Sequence, residues 1–368
     1  MATLTASLDR ERQRTRLLTD LQFDYVFAAL ATVSLIGVYI DGWAHNHLDA
    51  IETFFTPWHA LLYGSFIVIA AFTWAVAFRH RARGAAWRGA LPPGYGVSLV
   101  GIVVYWLAGT GDFIWHSLFG FEVRVEALLS PTHIGLLLGG TLIRTGPLRA
   151  AWLRAGESVS PRGWRAMLPM LLSAICLLSS FTFFTQYVHP WGATLAAADF
   201  QPITILAAQA HPTISPREYA IALGIASVLL QTAVLMALVL VLADRFGAGL
   251  PFGWLTLLVG ANAALMVVMR DDSLSTGPVP LLAGAIFAGL VGDVAFRVLR
   301  PDGSRVVPLR TFAFVFPVVL YATYFAVLAA FGPGIWWTIP MWSGLIVIPG
   351  GIGWLLSFVV QPRANTAR

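Results

Sequence analysis

The sequence contains no lysine, and its one cysteine, Cys176, lies within an apolar stretch. Charged residues make up only 11% of the 368 residues, whereas about a quarter of a typical soluble domain is charged. The single cysteine excludes a disulfide framework, and the shortage of charge excludes a soluble enzyme. Low-complexity stretches and long linkers are also missing from the sequence, which favours one membrane domain.

Apolar residues are abundant instead, at 58% of the chain with a mean hydropathy of +0.75. Apolar runs lie near residues 24–45, 57–78, 95–116, 131–148, 166–188, 216–242, 252–269, 279–298, 311–331 and 338–360. They predict an all-α, polytopic membrane helix bundle with about ten transmembrane helices in antiparallel hairpins. The predicted parts are a cytoplasmic N-terminal segment (1–23), two hairpins with a duplicated motif (24–150), the remaining transmembrane helices (151–360) and a cytoplasmic tail (361–368).

The basic residues, 23 arginines, indicate the orientation of this bundle. All but Arg124, Arg217 and Arg270 fall in segments on one side, and those segments include Arg144 and Arg154. The positive-inside rule therefore predicts cytoplasmic termini in a plasma-membrane protein. It also accounts for the net charge of +5, so the expected partner is the lipid bilayer and not a nucleic acid. The first 22 residues lack the apolar core of a cleavable signal, and the first helix is expected to act as the anchor.

A motif is repeated at the predicted outer ends of the first two hairpins. Each copy has the form Asp-x3-His, then a loop, then Glu-x4-Pro-x-His. The first copy contains Asp41, His45, Glu52 and His59, and the second contains Asp112, His116, Glu126 and His133.

The spacing of the motif predicts which side chains converge. An aspartate and a histidine four residues apart lie on one face of the outgoing helix, in its last turn. Thr56-Pro57 and Ser130-Pro131 are typical of a helix start, with the hydroxyl residue at the N-cap and proline at N1. The last histidine of each copy then lies at N3. Because the two helix ends are neighbours in a hairpin, each hairpin should gather two histidines and one aspartate.

Two imidazoles and one carboxylate are a ligand set for copper, zinc or iron. A purely structural polar cluster, inherited through duplication, is the alternative. Ionisable groups at membrane depth cost ~2.5–3.5 kcal/mol each and tend to mark function, so their repetition favours metal binding. The predicted ligands are Asp41, His45, His59, Asp112, His116 and His133. Glu52 and Glu126 are the predicted catalytic or bridging carboxylates. Hairpins packed face to face would hold one dinuclear centre, and otherwise there would be two mononuclear sites.

The motif resembles the copper motif in the C subunit of the particulate methane and ammonia monooxygenases, which reads Asp-x3-His-x12-His. The resemblance covers about 30–60 residues and is closest from Glu52 to His59 and from Ser130 to His133. The gaps between histidines differ, at 13 and 16 residues, and this chain has two copies of the motif. The resemblance implies copper on the outer side of a membrane bundle. It also implies companion subunits, with a homo-oligomer as the alternative.

Three functions follow from these ligands. The first is a copper or iron oxidoreductase, monooxygenase-like, that uses O2 to oxidise a small apolar substrate. The second is a zinc-dependent membrane hydrolase in which Glu52 or Glu126 is the general base. The third is a non-catalytic protein that acquires or transports copper. Further ligands along a path would support transport, and the later helices offer few.

The third hairpin carries a weaker version of the motif. His189 ends its outgoing helix, and Ser215-Pro216 starts the next helix with Glu218 at N3. His211 lies in the intervening loop. These residues either complete a site or have structural roles, and the long loop favours the structural interpretation.

Overall fold

The computed structural model describes residues 18–48, 53–120, 128–155, 162–200, 215–270 and 278–359. Within these ranges the chain is helical and forms no β-strand. The α-helices are α1 (Asp20–His47), α2 (Pro57–Ala82), α3 (Gly96–Phe119), α4 (Pro131–Arg144), α5 (Gly146–Arg154), α6 (Gly163–Phe184), α7 (Pro216–Phe246), α8 (Trp254–Arg270), α9 (Pro278–Leu299), α10 (Val306–Phe331) and α11 (Ile339–Leu356).

In the described part of the chain, eight helices are long and apolar enough to cross a membrane. They are α1, α2, α3, α6, α7, α9, α10 and α11. The predicted all-α, multi-pass membrane architecture is therefore confirmed. The inward orientation of the termini stays a prediction.

The other two apolar runs form shorter helices. The run at 131–148 is divided at Thr145 into α4, of 14 residues, and α5, of 9 residues. At 1.5 Å per residue, α4 is about 21 Å long, less than the ~30 Å hydrocarbon core. The run at 252–269 forms α8, with 17 residues. Ten complete spans therefore remain a prediction.

The chain divides into two compact units, Met1–Ser180 and Phe181–Arg368. In the first unit, α1 packs on α2 and α3 packs closely on α4. Small residues allow α3 and α4 to pack closely, since a Cβ on Gly139 would lie 2.6 Å from the Tyr105 backbone nitrogen. A Cβ on Gly101 would lie 2.7 Å from the Ile143 nitrogen. Small residues at helix interfaces are typical of membrane bundles, where backbones must approach closely.

Replacing Gly139 with alanine is expected to push α3 and α4 apart. The new methyl group would meet backbone atoms, which cannot move aside as a flexible side chain can. We expect thermal unfolding in detergent to show a loss of about 1–3 kcal/mol in stability, as for other overpacked cores. Gly64→Ala is the matched control, because a Cβ at Gly64 meets nothing within 4 Å. Equal stability of the two variants would contradict this packing.

A buried ion pair joins three helical segments of the first unit. Asp24 of α1 is 0% exposed, and its Oδ1 accepts a 2.7 Å hydrogen bond from the Tyr95 hydroxyl. The Arg154 guanidinium at the end of α5 pairs with the other carboxylate oxygen. The aromatic ring of Tyr95 packs edge-on against Phe23, with ring centroids 4.7 Å apart. This network fixes the starts of α1 and α3 to the end of α5.

Arg144, which the positive-inside rule assigns to the cytoplasmic side, is buried within the first unit. It ends α4 and is only 4% exposed. Its guanidinium donates hydrogen bonds of 3.3 Å to the hydroxyls of Ser34 and Ser180. The chain continues directly into α5 after the break at Thr145, and Arg144 lies in the interior of the first unit.

In the second unit, α8, α9, α10 and α11 pack in succession, and α7 packs on α11. Asp293 of α9 accepts hydrogen bonds from the backbone nitrogens of Leu255 and Thr256, at 3.1 and 3.0 Å. It also accepts a 2.6 Å hydrogen bond from the Thr256 hydroxyl. A carboxylate here satisfies backbone N–H groups that the first turn of α8 leaves free.

Candidate metal centre

The first hairpin brings Asp41, His45 and His59 together. Asp41 and His45 lie four residues apart near the end of α1, and α2 begins at Pro57 after the Thr56 N-cap. The Thr56 hydroxyl accepts the His59 backbone N–H at 3.2 Å, which places His59 at N3 as predicted. His59 Nε2 lies 3.2 Å from Asp41 Oδ1, and His45 Nε2 lies 3.9 Å from Asp41 Oδ2.

The second hairpin repeats this arrangement with Asp112, His116 and His133. Asp112 and His116 are near the end of α3, and Ser130 caps α4 by accepting the His133 backbone N–H at 3.3 Å. Asp112 Oδ1 lies 3.5 Å from His116 Nε2 and 3.3 Å from His133 Nε2. All six predicted ligands thus fall into two groups of three, which we name the first and second triads.

The spacing within each triad suits a single cation. One nitrogen or oxygen from each residue lies within 4.8 Å of the others in its triad. A tetrahedral ion with bonds of ~2.1 Å places its ligand atoms about 3.4 Å apart, close to the distances between carboxylate oxygen and Nε2. Small side-chain movements would therefore complete the coordination.

Hydrogen bonds hold three of the four imidazoles with Nε2 toward the triad. His59 Nδ1 lies 2.7 Å from the Phe54 carbonyl, and His116 Nδ1 lies 2.9 Å from the Gly120 carbonyl. His133 Nδ1 lies 2.7 Å from the Ser130 hydroxyl oxygen. Metal-binding histidines are oriented in this way, with the second ring nitrogen engaged by a carbonyl or another polar group.

The two triads are neighbours. Phe54 stacks on His59, with ring centroids 5.0 Å apart, and its centroid is 6.3 Å from that of His116. Tyr63, one turn after His59 in α2, donates a 2.6 Å hydrogen bond to Asp112 Oδ2 in the other hairpin. The Asp41 and Asp112 carboxylates are close enough for their charges to interact. The structure therefore forms two neighbouring three-residue groups, and the choice between one dinuclear centre and two mononuclear sites stays a prediction.

One buried atom in the first triad lacks a hydrogen-bond partner. Asp41 Oδ1 is inaccessible to solvent, and His59 Nε2, 3.2 Å away, carries no hydrogen when Nδ1 of the neutral ring donates to the Phe54 carbonyl. No other donor in the described residues satisfies this oxygen. A buried carboxylate oxygen without a donor is costly unless something else neutralises it. A cation between Asp41, His45 and His59 would supply that partner, so the donor set and the unsatisfied oxygen both fit a metal ion.

Sequence reasoning missed three residues that contact the triads, namely Phe54, Tyr63 and Thr132. The Thr132 hydroxyl donates a 2.9 Å hydrogen bond to Asp112 Oδ1. Thr132 and Phe54 lie inside the motif, at positions where its pattern allows any residue. Tyr63 lies outside the motif, and its partner is 49 residues away.

The structure leaves several predictions open and assigns others a structural role. Glu52, Glu126 and His211 lie outside the described residues. Glu218 caps α7, since its carboxylate accepts the Ser215 backbone N–H at 2.9 Å. His189, in the second unit, is buried and accepts the Trp191 backbone N–H at 3.3 Å.

Comparisons with protein-family models, with curated proteins and with solved structures found no match to this chain. The fold and the site define the class of protein: it is a multi-pass helical membrane protein with two adjacent Asp-His-His triads.

Proposed function

We propose that this chain binds copper at the two triads and acts as an O2-dependent, monooxygenase-like oxidoreductase on a small apolar substrate. The observation that carries the proposal is the convergence of two His-His-Asp sets, side by side, in a helical membrane protein. Bound copper would supply one-electron redox chemistry with O2.

The choice of copper rests on the donor atoms and the motif. Imidazole and carboxylate ligands accept copper, zinc and iron, and copper leads the affinity order of divalent ions. Asp41 and Asp112 provide the anionic ligand of each triad, and the described residues place no cysteine in either. The resemblance to the methane and ammonia monooxygenase motif points to the same metal.

The chain's own residues would hold the ligands and shape an apolar approach. Phe54 lies against His59 and is 5.3 Å from Phe113, measured between ring centroids. Phe55 lies 6.0 Å from Phe113, and its side chain is 80% exposed. These rings would exclude water from one side of the triads and admit a small apolar molecule from the bilayer.

We infer that the triads lie on the extracytoplasmic side of the plasma membrane. His59 lies in the first turn of α2, whereas Arg79 and Arg81 lie in its last turn. Under the positive-inside rule, the arginine end is cytoplasmic. Glu52 and Glu126 remain candidates for proton transfer beside the metal. The electron donor, and companion subunits or further copies of the chain, would complete the enzyme.

The proposal is tested by O2 consumption of copper-loaded protein in detergent, with a chemical reductant and a panel of small alkanes and alkenes. We expect uptake that depends on substrate and falls to background in Asp41→Ala/Asp112→Ala. His47→Ala is the matched control, because His47 stacks on Trp43 at 4.9 Å and lies outside both triads. Zinc with hydrolytic turnover would favour a hydrolase instead. Copper retained without turnover would favour acquisition or transport.

A further inference from the structure

The two triads differ in the polar groups that surround their ligands. In the second triad every ligand is held, Asp112 by Tyr63 and Thr132, His116 by the Gly120 carbonyl and His133 by Ser130. Asp112 Oδ2 accepts the Tyr63 hydrogen bond, and Oδ1 accepts the Thr132 hydrogen bond and faces both imidazoles. The second triad therefore presents one carboxylate oxygen and two Nε2 atoms that are already oriented toward a cation.

In the first triad His59 is held by the Phe54 carbonyl, but Asp41 has no counterpart of the Tyr63 and Thr132 hydrogen bonds in the described residues. The position that matches Thr132 in the repeat is Trp58, which cannot reproduce a short hydroxyl contact to the aspartate. The position four residues after the last histidine is Tyr63 in the first copy and Leu137 in the second. Tyr63 therefore serves the second triad, and no hydroxyl in the described residues donates a hydrogen bond to Asp41.

Outer hydrogen bonds of this kind orient metal ligands, and their loss typically weakens metal binding about 10–100-fold. A ligand that is already oriented loses less conformational freedom when the ion binds. A carboxylate without hydrogen bonds must be ordered by the ion itself. The second triad is thus the more preorganised of two chemically similar sites.

We propose that the triads are non-equivalent copper sites, the second tight and the first weaker and exchangeable, with Tyr63 as the positioning residue that sets the difference. This inference rests on the proposed function, because it requires that both triads bind copper. It assigns the first triad, whose aspartate has no hydroxyl donor in the described residues, as the site where external ligands exchange.

The test isolates each triad in the full-length, detergent-purified protein. His45→Ala disables the first triad and His133→Ala disables the second, and the two variants are matched because both side chains are 20% exposed. Each variant is titrated with Cu(II) buffered by a competing chelator and followed by electron paramagnetic resonance. We expect the site that remains in His45→Ala to bind about 10–100-fold more tightly than the site that remains in His133→Ala.

Tyr63→Phe then tests the positioning role with almost no change in volume. In the His45→Ala background it should weaken Cu(II) binding about 10–100-fold and alter the resonance spectrum of the bound ion. In the His133→Ala background it should change neither. Tyr105→Phe is the matched control, because Tyr105 is a buried tyrosine of α3 that stacks on Phe66 and makes no described hydrogen bond to either carboxylate.

The outcomes separate this inference from the proposed function. Wild-type protein that binds no copper would overturn both. If the two single-triad variants bind copper with equal affinity, or if the first triad binds more tightly, the inference is wrong but the proposed function is unaffected. A Tyr63→Phe effect no larger than that of Tyr105→Phe would overturn the role of Tyr63.

Discussion

The double variant His59→Ala/His133→Ala is expected to lose copper from both triads at once. Each triad would keep one aspartate and one histidine, and the missing imidazole lies 3.2–3.3 Å from the carboxylate in both. Loss of a group that only hydrogen-bonds to a metal ligand typically weakens metal binding about 10–100-fold. Removal of a ligand itself should therefore weaken metal binding at each site at least ~100-fold. Elemental analysis after gel filtration measures the loss.

Two properties make this variant informative. Both histidines lie at N3, where the cap is formed by Thr56 or Ser130 through the backbone N–H, which alanine retains. The helix starts should therefore survive, and circular dichroism should match the wild type. His47→Ala is the control for loss of a histidine at the same end of the hairpin. Metal content that is unchanged in a folded double variant would contradict the assignment of these ligands.

The largest effect on stability is expected from Arg154→Ala. Asp24 is 0% exposed, and the guanidinium of Arg154 is the cation that pairs with it. Without Arg154, the buried Asp24 carboxylate keeps the Tyr95 hydrogen bond but has no cation beside it in the described residues. Breaking a buried ion pair in this way typically costs about 3–5 kcal/mol of stability, and we expect a loss of about 3 kcal/mol. Thermal unfolding in detergent should show the decrease.

The charge explanation has its own control. Adding Asp24→Asn to Arg154→Ala removes the isolated charge, so the double variant should be more stable than Arg154→Ala alone. Arg149→Ala is a second control, because Arg149 lies in the same short helix and forms no ion pair in the described residues. If Arg154→Ala were as stable as Arg149→Ala, the buried pair would not hold the helix ends together.

Local sequence chemistry was sufficient to predict which six side chains converge in two groups of three. Asp41 and His45 share a helix face because of helical spacing, and Thr56-Pro57 determines where α2 begins and hence where His59 lies. These relations involve residues within one or two helical turns, or across a short loop. The duplicated motif repeated each relation independently, so the prediction did not depend on one match.

The relation between the hairpins could not be predicted in the same way. The Tyr63–Asp112 hydrogen bond depends on how α2 lies against α3, and tyrosine is common in membrane helices without such a role. The break between α4 and α5 was also missed, because the apolar run is continuous across Gly146-Pro147. The burial of Arg144 against Ser34 and Ser180 likewise depends on packing between helices, which the sequence does not show.

Elemental analysis of the detergent-purified wild-type protein tests the central claim most directly. The two triads predict two copper ions per chain after reconstitution, one for each group of three ligands. A well-folded protein that retains no metal under the same conditions would contradict the claim, and the repeated motif would then be a structural polar cluster.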